Sequence, residues 1–175
     1  MGYPYFAATL PTQDFGAPPV LTADAFRSLA ENNLSKADFA ALDALLSGGE
    51  SGHPFVVAWR DRDTQIRNAV ARQRASRIDG ADATKYLRPH GGWSCAAEEA
   101  VAAAFAETDP LDRQRALLRV RWNALEELAG LDPFSSSAVL AYAVRLVIAA
   151  EYAAFDAEKG AARLRAAAEE SISKE

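Results

Sequence analysis

Residues 54–78 read PFVVAWRDRDTQIRNAVARQRASRI, from Pro54 to Ile78. Proline at the start loses no needed hydrogen bond, and nothing inside the run breaks a helix until Asp79-Gly80. Phe55, Trp59, Ile66, Ala69, Val70 and Gln73 are expected near one side, with arginines on the others, which is the pattern of a long amphipathic helix. A helix of that length needs partners of its own kind to cover its apolar stripe.

Such partners are present on both sides. Upstream, Thr22 can cap a helix carrying Phe26, Leu29 and Ala30, and Ser35 a second carrying Phe39, Leu42, Leu45 and Leu46. Downstream, a short turn over Ala83 to Leu87 leads to the loop Arg88-Pro89-His90-Gly91-Gly92, and Ser94 can cap an alanine-rich helix reaching Glu107. Asp109-Pro110 opens a helix running to about Leu131. Another follows Asp132-Pro133 and is apolar on several sides, so it is expected in the middle of the bundle. Gly160 interrupts the pattern before a charged final helix from Ala161 to about Ile172. The chain begins with an aromatic segment, Tyr3 to Leu10, that is extended or briefly helical. No strand alternation recurs, so the expected fold is all-α, a bundle of about six to seven helices behind a short aromatic N-terminal segment. Ser47 to Gly52 is the most flexible run and the best candidate for a hinge or boundary between an N-terminal segment with its helical hairpin, 1–52, and a main bundle, 53–175, with one continuous domain as the alternative.

At 175 residues with net charge −5, the chain can bury a core without staples and lacks an overall field attracting nucleic acid or an anionic membrane. Cys95 is the one cysteine and His53 and His90 are the two histidines, which leaves no ligand set for a structural metal and no internal disulfide. No cofactor or metal is expected. Gly48-Gly49 and Gly91-Gly92 lack the Lys-Ser/Thr ending of a phosphate loop. His53 and His90 sit in loops beside prolines, without an evident second group to make either a general base, and Cys95 has no dyad partner nearby in sequence. A non-enzymatic protein in a reducing, cytoplasmic compartment is expected. The longest apolar stretch, Ala138 to Ala150, is interrupted by Arg145, so membrane contact is expected only through partners.

The chemistry that stands out is arginine without lysine. Arg60, Arg67, Asn68, Arg74 and Arg77 lie on the long helix, and Arg121 and Trp122 on the helix that starts at Pro110. A planar guanidinium holds a carboxylate by two bonds at once, so these residues form a candidate protein interface or a fixed ion-pair network. Arg67, Asn68, Arg121 and Glu126 are the expected members of an interlocked network. Solvated arginines on exposed helix faces are the plainer alternative, since surface pairs contribute about 0 to 1 kcal/mol.

The order of several short blocks resembles a bacterial family of unknown function encoded within V-type (A/V-type) ATP synthase operons. These are Tyr3-Pro4-Tyr5-Phe6-Ala7-Ala8-Thr9-Leu10-Pro11, Pro18-Pro19, Leu34-Ser35-Lys36-Ala37-Asp38-Phe39, Ile66-Arg67-Asn68 with Arg74-Ala75, Lys85-Tyr86-Leu87-Arg88, Asp109-Pro110-Leu111, Arg121-Trp122-Asn123, Ala141-Tyr142 and Phe155-Asp156-Ala157-Glu158-Lys159-Gly160. The resemblance implies an accessory or central-stalk component, a short counterpart of the helical socket that joins the rotor shaft to the membrane ring in V-type ATPases. Its implied partners are the rotor and stalk subunits. A transient assembly chaperone of the same complex, or an unrelated helical interaction module, are the alternatives. The family transfers no catalytic residue, and Ala150-Glu151 departs from the basic residue its pattern implies there.

Overall fold

A computed structural model describes residues 2–155. Among them are seven α-helices and one 3-10 turn: α1 (Pro4–Thr9), α2 (Ala23–Glu31), α3 (Lys36–Ser47), α4 (Pro54–Ala75), the turn Ala83–Tyr86, α5 (Cys95–Ala104), α6 (Pro110–Ala129) and α7 (Ser136–Ala153). The fold is all-α. The helix expected over 161–172 lies outside the described residues.

Most helices begin where the sequence supplies an oxygen for the free N–H groups of the first turn. Thr22, Ser35, Ser94 and Ser135 each accept from the backbone N–H three residues on, and Asp109 accepts from Leu111 and Asp112. α4 is capped by an imidazole: His53 Nδ1 accepts from Phe55 N at 3.2 Å, with Pro54 following. α4 ends at Ala75 and α5 at Ala104, both a few residues earlier than the apolar pattern alone implies. The aromatic start is helical, and Tyr3 N donates to Phe134 O at 2.6 Å, which ties it to the segment before α7.

α7 lies in the middle. Val139, Leu140, Ala141, Ala143, Val144, Leu146, Ile148 and Ala149 are all buried, and α6, α3 and α2 pack on it. It is the one helix among the described residues long and apolar enough to cross a membrane by length and composition, yet its side chains form the core of this bundle. Phe26, Leu42, Leu118, Leu125, Leu140, Leu146 and Ile148 are essentially inaccessible. Each contributes about 1.5 to 3 kcal/mol by leaving water. One continuous apolar cluster takes Phe26 and Leu42 from before the Ser47 to Gly52 run together with Trp59, Val101, Leu118 and Ile148 from after it.

The inner face of α4 differs from expectation in one respect. Gln65 and Asn68 are buried on it with Ile66 and Ala69, whereas Gln73 is only half-buried. The reason lies in the loop they hold.

Candidate functional site

Each end of the loop that follows the 3-10 turn is clamped by a side-chain amide of α4. Asn68 Nδ2 donates to Arg88 O at 2.7 Å and Arg88 N donates to Asn68 Oδ1 at 3.0 Å. One turn earlier, Gln65 Nε2 donates to Ser94 O at 2.8 Å and Ser94 N donates to Gln65 Oε1 at 3.1 Å. Each amide therefore pairs with a backbone as a neighbouring strand would, satisfying groups that α4 would otherwise bury unpaired. Between the clamps the loop comes so close to α4 that a Cβ on Gly91 would stand 2.7 Å from Asp61 Oδ2.

This clamp sets Arg88 on the rim of a groove of about 600 Å³ between α3, α4, α7 and the 3-10 turn. Four arginines line it, Arg60, Arg67, Arg88 and Arg121, against a single carboxylate, Asp63. Asp63 is the hub: Arg121 Nε reaches Oδ1 at 2.8 Å and Arg67 Nε reaches Oδ2 at 2.8 Å. Arg121 also meets Glu151 at 3.3 Å and stacks over Trp59. Arg60 crosses to α3 and donates to the carbonyls of Ala44 and Gly49, where a cation faces the negative end of that helix. A smaller hollow of about 350 Å³ adjoins on the other side of Asp63, Arg67 and Arg121, and Arg74 lines it.

The arginines anticipated as one cluster thus divide by partner. Arg77 donates to Phe105 O and lies over that ring, and Arg72 holds Glu98 with both contacts at 2.7 Å. Arg62 pairs with Glu127 at 2.6 Å. All three serve internal packing. Among the described residues, Arg74 and Arg88 alone of the arginines have no side-chain hydrogen bond, ion pair or aromatic face. Arg67 is 70 % exposed and held only by its i,i+4 pair with Asp63.

Two members of the expected network belong elsewhere. Asn68 bonds the Arg88 backbone rather than Arg67 or Arg121, because its side chain points inward. Glu126 accepts from Trp122 Nε1 at 3.1 Å and faces Arg145 at 3.8 Å, away from the Asp63 hub. Trp122 itself is buried, packed edge-on against Phe15 with Arg145 above it, so it is core and not rim. Burial pushes the Arg145 guanidinium below its usual pKa, partly offset by Glu126.

His53 has the partner that its neighbours in sequence do not reveal. Its Nε2 lies 3.1 Å from Asp38 Oδ1, while Asp38 Oδ2 accepts from Tyr3 and from Ser35 Oγ at 2.8 Å. Burial raises the Asp38 carboxyl, but the Tyr3 and Ser35 hydrogen bonds and the His53 ring outweigh it and hold the group below its ordinary value. With His53 Nδ1 occupied as a helix cap and Asp38 buried, this cluster fastens α1, α3 and α4 together. His90 stacks on the exposed Trp93, and Cys95 is exposed at the start of α5.

Sequence reasoning missed Gln65. Its signal was position: four residues before Ala69 and three before Asn68, it falls at the edge of the buried side of the helix and not on its exposed one. Among the described residues no group of three or more His, Cys, Asp and Glu side chains is arranged to hold a metal ion. No family model, curated protein or solved structure matches this chain.

Proposed function

We propose that this protein is a non-catalytic adapter, an accessory or central-stalk component of a V-type ATP synthase/ATPase that docks through the arginine face of α4. The observation that carries the docking half is the sorting of arginines by partner. Arg67, Arg74 and Arg88, the three with the least internal commitment, surround two adjoining hollows, while their neighbours are held by the bundle. The ATPase half rests on the resemblance of the sequence blocks from Tyr3-Pro4-Tyr5 to Phe155-Asp156-Ala157-Glu158-Lys159-Gly160. A rigid helical body with a charged face supplies what a coupling component needs. The full-size socket is built from three helical lobes and is about twice as long, so this chain would cover part of it.

The test is affinity purification of the tagged protein at native level from its own membranes, with quantitative mass spectrometry of the ATPase subunits. Near-stoichiometric rotor subunits are expected, and strong loss of them in the Arg67→Glu/Arg74→Glu double variant, whose folding is checked by circular dichroism because Arg67 pairs with Asp63. Substoichiometric recovery from the unaltered protein points instead to a transient assembly chaperone. Full recovery with a folded double variant removes this face from the interface.

A further inference from the structure

We infer that the groove between α3, α4 and α7 seats an acidic amphipathic helix of a partner protein, with Arg67 and Arg88 receiving its carboxylates. The inference rests on the adapter reading and gives that reading a partner chemistry.

Charge argues first. Four guanidiniums line the groove with Asp63 as the one carboxylate of the lining, and Glu151 offsets only Arg121, so in a chain whose net charge is −5 the local field opposes that of the molecule. Arg60 and Arg121 are fixed by carbonyls and carboxylates of this chain and build the wall. Arg88, whose guanidinium has no partner among the described residues, and Arg67, 70 % exposed and held by Asp63 alone, are the receptors. The Asn68 clamp holds the Arg88 backbone in place, which limits the ordering needed on binding.

The floor argues for the class of anion. Leu46, Val144 and Val147 line it, Val147 is 42 % exposed, and Tyr86 stands 74 % exposed at one side. A phosphate group leaves such a surface wet, whereas an amphipathic helix covers it with apolar side chains and places carboxylates at the rim. The end of α3 at the groove is its C-terminal end, where Ala44 and Gly48 lie, and phosphate is favoured by the opposite end of a helix.

The experiment is a titration of the full-length, isotope-labelled protein followed through the arginine Nε–H resonances. The probe is a helical peptide with leucine and glutamate three and four residues apart. Its glutamine counterpart and inorganic pyrophosphate serve as comparisons. Expected are shifts at Arg67 and Arg88, affinity falling by about tenfold or more in Arg88→Glu and in Arg67→Glu, and no change in Lys36→Glu at the far end of α3. Equal binding of the glutamine peptide, retained binding in the two arginine variants, or tighter binding of pyrophosphate to the same arginines overturns the proposal, as does the absence of shifts. Peptide binding without co-purification of rotor subunits sinks the ATPase assignment and leaves the groove standing; the converse leaves an adapter that docks elsewhere.

Discussion

Asp38 ties together three segments that are far apart in the chain. Three donors converge on it: Tyr3, just ahead of α1, the α3 cap Ser35 and the α4 cap His53. Asp38→Ala leaves the Tyr3 hydroxyl and the Ser35 hydroxyl without their acceptor, and a loss of about 1 to 3 kcal/mol is expected in urea unfolding. The pH dependence follows from the direction of its shift. The folded-state pKa lies below the unfolded value, so the stability from ionised Asp38 is complete above the ordinary carboxylate range and disappears as pH falls through the lower, folded value. The gap in stability between the unaltered protein and Asp38→Ala should therefore be full at about pH 6 and narrow only below about pH 4, measured at matched ionic strength. Ser35 could be read as a cap from the sequence. Asp38 and His53 could not be read as partners, because they are brought together by the packing of α3 against α4 and not by any local spacing.

Among elements, α4 does most to place the candidate site, and it does so with amides as well as arginines. Asn68→Ala strips both backbone partners from Arg88 and should cost about 1 to 3 kcal/mol. The Arg88 amide should also exchange with solvent far faster, whereas the Ser94 amide, held by Gln65, keeps its protection. Gln65→Ala should give the reverse pattern. Equal loss at both amides in either variant would mean that the loop opens as one unit and that the two clamps do not act separately. The helix itself was legible from Pro54 and the apolar stripe. The groove was not, since its arginines come from α4, a loop and α6, and local sequence cannot tell Arg67, left near solvent, from Arg72, taken up by Glu98.

For the whole molecule, the all-α bundle with α7 at its centre followed from helix starts and the breadth of the apolar pattern. The reading of Ser47 to Gly52 as a boundary meets a core that runs across it, with Phe26 and Leu42 in the same cluster as Trp59 and Ile148. One cooperative unfolding transition is therefore expected, with amides of α2 and α3 losing protection at the same denaturant concentration as those of α5 and α6. Phe26→Ala, costing about 3 to 5 kcal/mol, should lower both midpoints together. A midpoint shift confined to α2 and α3 would show two units.

The central place of α7 also sets a timetable for the nascent chain. Tyr3 bonds to Phe134 and the Tyr142 hydroxyl to Pro11 O at 2.9 Å, contacts that join the first described turn to the last described helix. While a ribosome is still translating α6, the apolar faces of α2, α3 and α6 have no α7 to pack against. Until then they are exposed, and a holdase that shelters hydrophobic surface during synthesis has its longest window on this protein before α7 emerges.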